Sequence, residues 1–180
     1  MIYVFLANGF EEMEALGPID ILRRAKAEVV TVGVSGEEIT SSHGLVVKPD
    51  ITQDKIKLDD SLEMIILPGG MPGTLNLEAS DFVQSAVDYC AENDRFIAAI
   101  CAAPSILGHK GLLKGKTATS FPSFNKDLEG ATVVDDLVAV DGKIITAKGA
   151  GASIEFGLKL AELLVSKEVS DNIKTGIQCR

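Results

Sequence analysis

The 180-residue sequence contains no tryptophan, and aromatic residues make up only 5% of it. Stacking platforms for single-stranded nucleic acid are therefore scarce. Basic residues are outnumbered 26 to 17 by acidic ones, for a formal charge of −9. Such a surface repels polyphosphate, so no nucleic-acid partner is expected. No apolar run approaches the roughly 18 residues of a membrane-spanning helix, so no membrane partner is expected either. The opening Met1-Ile2-Tyr3-Val4 lacks the basic region and cleavage site of a signal peptide. The chain reads as soluble and cytoplasmic. Metal-ligand spacing is missing too. There is no C-x-x-C and no H-E-x-x-H, and the two histidines, His43 and His109, lie far apart. Neither a metal nor a cofactor is expected. Cysteines number three, Cys90, Cys101 and Cys179. An odd count in a chain able to bury a core argues against a disulfide framework. Each cysteine then needs its own explanation.

What is present is the ordinary globular balance, 46% hydrophobic and 24% charged. The length suits one domain, residues 1–180. Short apolar runs read as buried strands at Ile2–Ala7, Val29–Val34, Met64–Leu67, Phe96–Ile100, Leu137–Val140 and Ile144–Ala147. They are continuous rather than alternating, which suggests a sheet covered on both faces. Helical patterns lie between them. Glu11–Ala27 is one, with a kink expected at Pro18. Asp81–Asn93 carries Phe82, Ala86 and Cys90 on an apolar stripe, and Ser153–Val165 is the third. Alternating strands and helices imply a mostly parallel α/β sheet with helices on both sides. Asp141-Gly142 predicts a type I′ hairpin turn between the last two strands.

Some apparent motifs dissolve on inspection. Gly111-Leu-Leu-Lys-Gly115-Lys116-Thr117 has three residues between its glycines where a phosphate loop has four, and it follows a helix. A capped helix end running into a strand explains it. Gly149-Ala150-Gly151 lacks the third glycine of a dinucleotide fingerprint and reads as a tight turn before a helix. The pairs Asp59-Asp60 and Asp135-Asp136 read as solvated loop charges.

The informative segment is Phe96-Ile-Ala-Ala-Ile-Cys101-Ala-Ala-Pro104. An apolar strand ends at a cysteine, and Pro104 suits the first turn of a helix. Ala99 and Ala103 are the small neighbours that a sharp nucleophile elbow requires. A helix N-terminus there would favour thiolate and lower the thiol pKa from about 8.5. Cys90, at helical spacing with Phe82 and Ala86, reads instead as a core residue, and Cys179 as an exposed terminal one. Two glycine-bearing turns accompany Cys101. Leu67-Pro68-Gly69-Gly70 follows a strand, where paired glycines let backbone N–H groups face a cavity. With the Ala102 N–H this turn would supply two donors near the Cys101 sulfur. Gly9-Phe10-Glu11-Glu12-Met13-Glu14 follows the first strand, with Glu11 and Glu14 on one helical face.

Together with Ala98-Ala99-Ile100-Cys101-Ala102-Ala103-Pro104 and Gly149-Ala150-Gly151-Ala152-Ser153, these segments resemble the DJ-1/PfpI (ThiJ) superfamily, in its DJ-1-like bacterial branch. The resemblance implies a flavodoxin-like, class I glutamine amidotransferase-like three-layer sandwich that forms a homodimer. It implies Cys101 as the reactive cysteine, Glu14 as the carboxyl bonded to it, and Gly69, Gly70 and Ala102 as oxyanion-side groups. A protonated Glu14 donating to sulfur is expected, because two adjacent anions are costly. Peptidase-like members carry His after the cysteine, where this chain has Ala102. DJ-1-like members often supply His in a Thr-His-Pro segment, where this chain has Ser120-Phe121-Pro122. His43 is the candidate auxiliary base, set against an ordinary loop histidine.

Three functions stay open at this stage. One is a cofactor-independent glyoxalase or deglycase acting on methylglyoxal or its protein adducts in a stress response. The second is a non-enzymatic redox sensor or chaperone acting through oxidation of Cys101. The third is a cysteine peptidase or amidase, which Ala102 leaves without its base.

Overall fold

The computed structural model describes residues 1–179. All six predicted strands form, within one residue of their expected ends, and a short seventh at Ile51–Thr52 joins them. In one sheet the order runs Val138–Asp141, Ile144–Ala147, Phe96–Ile100, Met64–Leu67, Ile2–Leu6, Val29–Gly33, Ile51–Thr52. Every pairing is parallel except that of the first two strands, which form the hairpin.

The Ile2–Leu6 strand shows why the runs are apolar throughout. All five residues are buried. Tyr3 and Phe5 enter one core, while Ile2, Val4 and Leu6 enter the other. A strand's period of two sends successive side chains to opposite faces, and both faces are covered. The first face takes Leu77 of α2 (Gly73–Glu78), Val83, Ala86, Val87 and Cys90 of α3 (Asp81–Glu92), and Ile106 and Leu107 of α4 (Pro104–His109). The second takes Ala15, Ile19, Ile21 and Leu22 of α1 (Glu12–Arg24), and Phe156, Leu160 and Ala161 of α5 (Ser153–Leu164). Val169 and Ile173 of α6 (Lys167–Gly176) pack at its edge. The result is a three-layer α/β sandwich. Side-chain caps fix several helix starts. Ser80 accepts from the Val83 N–H, and Ser166 from the Val169 N–H.

The differences from expectation are local. Helix α1 contains Pro18 and ends at Arg24, three residues before the expected Ala27. Phe82, placed on the buried stripe of α3, is 42% exposed. It lies in the first turn, where Val83 rather than Phe82 faces the sheet. The hairpin pairs Asp141 with Ile144, so its two-residue loop is Gly142-Lys143, one position later than predicted. Only Gly142 of that loop has positive φ (62°), the requirement of a II′ rather than a I′ turn. The short helices α2 and α6 were not anticipated. Helix α6 is polar over most of its surface and leans on α5 with two apolar side chains, too few to make a periodic signal.

Candidate active site

The strand Phe96–Ile100 delivers Cys101 to the carboxyl end of the sheet. The backbone of Cys101 is left-handed, with φ of 65°, a conformation few non-glycine residues adopt. Flanking contacts hold it there. Its N–H donates to the Ala147 carbonyl at 2.8 Å, and its own carbonyl accepts from the Phe121 N–H at 2.9 Å. Ala99, Ala102 and Ala103 are fully buried around the turn. Helix α4 begins only at Pro104 and has six residues. Its macrodipole is therefore a weak source of thiolate stabilisation, contrary to the sequence expectation. The donors that do reach the sulfur are the N–H groups of Gly70 and Ala102.

Glu14 stands in the first turn of α1 and is 1% exposed. Its carboxyl is hydrogen-bonded to Cys101 and accepts from the Gly69 N–H at 3.0 Å and from the Ala150 N–H. Burial pushes this carboxyl up to about 7, against the pull of those hydrogen bonds. Burial, and then the charge of Glu14, push the Cys101 thiol up to about 12. This corrects the expectation of a thiol lowered by a helix end. Groups this close titrate as a pair. The pair loses one proton near neutrality and holds the second firmly. Between those steps the remaining proton rests on sulfur, opposite the Glu14 carboxylate, the reverse of the protonated Glu14 expected from the sequence.

Gly69 is what lets the two groups meet. A Cβ at this position would lie 2.6 Å from Glu14 Oε2 and 2.7 Å from Cys101 Cβ. Gly70 follows with φ of 92°, and a Cβ there would lie 2.5 Å from the Glu11 nitrogen and the Gly9 oxygen. The two glycine turns read separately from the sequence thus cross each other under the sulfur. The Glu11 N–H donates to the Gly69 carbonyl at 3.0 Å and locks the crossing. The three oxyanion-side candidates divide. Gly70 and Ala102 address the sulfur, while the Gly69 N–H is engaged by Glu14.

A half-buried cysteine on a left-handed elbow, facing a buried carboxyl across crossed glycine turns, matches a known pattern. The model of the DJ-1/PfpI family fits residues 1–163. The chain belongs to the DJ-1/PfpI family. The Drosophila melanogaster protein dj-1beta is 37% identical over 177 residues, covering 97% of this chain and 94% of its own. Its crystal structure superposes with a TM-score of 0.94 at 36% identity, covering 99% of this chain and 97% of that one. Oxidized DJ-1 of Toxoplasma gondii gives the same TM-score, 0.94, at 35% identity, with 99% and 97% coverage. A Caenorhabditis elegans protein named glutathione-independent glyoxalase DJR-1.2 is 29% identical over 164 residues, 91% of this chain and 87% of its own. Among the described residues no helix is long and apolar enough to cross a membrane.

Within this DJ-1/PfpI site, His43 does not contact Cys101. Its side chain is 76% exposed, and Nδ1 lies 2.8 Å from Glu12 Oε2. Burial opposes ionisation of Glu12, but hydrogen bonds from His43 and Ser41 prevail and hold its carboxyl at about 2. The same hydrogen bond raises the pKa of His43. Glu11, Glu12 and His43 bring ligand-type atoms within 4.8 Å of one another, a juxtaposition that sequence spacing hides. Both oxygens of Glu12 are already engaged by Ser41, Ser42 and His43. His109 sits in the last turn of α4, with Nδ1 2.6 Å from Glu78 Oε1.

Sequence reasoning missed Gly149 as a wall of the site. A Cβ on it would lie 4.0 Å from the Cys101 sulfur and 3.5 Å from Phe121 Cδ2. Gly149 thus stands close to both the sulfur and Phe121, which is 48% exposed and whose ring offers no proton acceptor. The small-residue run Gly149-Ala150-Gly151 was the available signal. The run contributes to the family resemblance, but its local pattern predicts a turn and does not say which way its backbone faces.

Proposed function

We propose that the chain is a cofactor-independent glyoxalase or deglycase acting on methylglyoxal, or on the adducts it forms with protein side chains. The observation that carries this reading is the Glu14–Cys101 pair, a carboxyl titrating near neutrality that faces a thiol beneath the Gly70 and Ala102 N–H groups. Transfer of the thiol proton to the Glu14 carboxylate gives the thiolate, which attacks the aldehyde carbon. The carbonyl oxygen becomes the hemithioacetal hydroxyl by taking the proton from Glu14. The Glu14 carboxylate then removes the hydrogen from the former aldehyde carbon and returns it to the neighbouring ketone carbon, while the hydroxyl proton passes from the former aldehyde oxygen to the ketone oxygen. The aldehyde carbon is oxidised and the ketone carbon reduced, so no external oxidant is needed. The product is a lactoyl thioester on Cys101. Water cleaves its S–C bond to release lactate and restore the thiol. The glyoxalase named among the relatives supports this class of chemistry at 29% identity.

Lactate release from methylglyoxal tests it, with wild type, Cys101→Ser and Glu14→Gln compared. Loss of turnover in both variants is expected. Equal turnover in all three overturns it. A second reading is a redox sensor, in which Cys101 becomes a sulfinate held by the same N–H donors. The oxidized state named for the Toxoplasma gondii relative favours weighing it. Mass spectrometry after mild peroxide decides it. Oxidation of Cys90 or Cys179 ahead of Cys101 would sink the sensor.

We also propose a homodimer. Its face is the apolar groove of Met13, Leu16, Gly17 and Ile154, with Met13 57% exposed. Light scattering on Leu16→Glu checks this, with a shift to monomer expected.

A further inference from the structure

The strand that ends at Cys101 begins beside a second cavity, of about 570 Å³. It lies about 16 Å away, five residues at about 3.3 Å each. Its floor is apolar, built from Ile97, Leu112, Ile144 and Leu163. Its rim carries Arg95, Lys116 and Lys143 against a single acidic residue, Asp94. That sign is the reverse of the chain as a whole, in which acids outnumber bases 26 to 17.

These cations are loosely held. Arg95 reaches Asp60 at 3.3 Å, Lys116 reaches Asp141 at 3.5 Å, and Lys143 reaches Asp94 at 3.8 Å. Ion pairs elsewhere in the molecule close to 2.7 Å, as in Arg24–Asp20 and Lys110–Asp88. A charge-assisted hydrogen bond has its optimum near 2.7–2.9 Å, so the three rim pairs are not close salt bridges. Asp60 and Asp94 are almost fully exposed and keep their water. An independent observation points the same way. The Nε of Arg95 is buried with no hydrogen-bond partner. That guanidinium is thus incompletely satisfied within the protein, and among the described residues its reachable end makes only the 3.3 Å contact to Asp60. Lys143 meanwhile stands 4.2 Å over the Phe96 ring, so its ammonium is kept at the mouth.

We propose that this cavity binds a small amphipathic carboxylate, with its carboxyl group on Arg95 and Lys143 and its hydrocarbon body on the apolar floor. The volume falls in the range of small-molecule sites, and the lining combines apolar area with a few convergent polar groups, as such sites do. A bare anion would leave the floor unused, and a neutral hydrocarbon would leave Arg95 unsatisfied. The inference does not depend on the chemistry at Cys101.

Octanoate is the probe, titrated into the full chain by calorimetry and by amide NMR, with octan-1-ol and acetate as the two half-ligands. Octanoate is expected to bind at least tenfold more tightly than either. Shifts are expected at Ala91, Gly142 and Ile144. The Arg95→Met, Lys143→Met double variant should lose at least tenfold in octanoate affinity while binding octan-1-ol as before. Where the double variant fails to fold, Lys143→Met alone, at an exposed side chain, carries the same comparison with an expected loss of several-fold. Octanoate affinity unchanged by removal of these cations overturns the proposal. So does acetate binding as tightly as octanoate, or shifts that cluster at Cys101 or Met13 instead.

Discussion

Cys90 and Cys101 have much in common. Burial pushes both thiols up to about 12, and each lies against the same sheet. Their surroundings differ. Cys90 is enclosed by the apolar core around α3, and the charge of Arg95 only partly offsets its burial. Cys101 has a carboxyl within hydrogen-bonding reach and two backbone N–H groups on its sulfur. Burial alone makes an inert thiol. Burial beside a carboxyl that itself titrates near neutrality makes a pair in which a proton can move without leaving the protein. The left-handed backbone at Cys101 belongs to the same contrast, because Cys90 sits in an ordinary helix.

The largest effect is expected from the residue that lets the pair form. Gly69→Ala places a methyl group against both Glu14 and Cys101. The clash has backbone on one side and a packed core on the other. A loss of about 2–4 kcal/mol in unfolding free energy is expected by denaturant titration, together with loss of Cys101 alkylation at neutral pH.

Next comes Glu14→Gln. In the wild type the charge of Glu14, present above about pH 7, adds to burial in holding the Cys101 thiol up. Glutamine carries no charge, so iodoacetamide labelling of Cys101 at neutral pH should rise, by about tenfold for each pH unit that the thiol falls. A variant slower than wild type would show that the remaining proton rests on Glu14 and that the carboxyl favours the thiolate.

Cys90→Ala should remove a buried atom from the core and nothing from the site. A loss of about 1–2 kcal/mol by denaturant titration is expected, with Cys101 labelling unchanged. Altered labelling would join two regions that the comparison separates.

The smallest effect concerns His43. Its folded pKa is raised by Glu12. Its ion pair therefore contributes fully below the unfolded pKa and is lost as pH rises through the folded one. Glu12→Gln should return the His43 titration, followed by NMR, toward its ordinary value. Cys101 labelling should hold, since the structure gives His43 no contact with the sulfur. A fall in labelling would restore His43 as an auxiliary base.

Much of this site was legible in the chain. The elbow at Cys101 follows from a strand run ending at a cysteine with Ala99 and Ala103 beside it, because only small residues fit so sharp a turn. Glu14, Gly69 and Gly70 came from motif resemblance, since nothing local in those segments says that they meet. The direction of the thiol shift was misread. The sequence places Pro104 soon after Cys101, but it does not reveal that α4 is only six residues long, or that Glu14 comes so close. Phe82 and the hairpin turn were misplaced by a single position, the usual cost of reading a register without its partner strand or facing sheet.

The order of apolar runs and helical stripes by itself determined the α/β sandwich, because a strand buried on both faces has few other architectures open to it. It also singled out Cys101 among three cysteines by the residues on either side. Only the tertiary structure decided what that cysteine is next to. Glu14, Gly69, Gly70, Ala102 and Gly149 come from four separate stretches of chain and converge at one end of the sheet. A hydrogen bond between side chains 87 positions apart in the sequence is a property of their distance in space, and no local pattern encodes that distance.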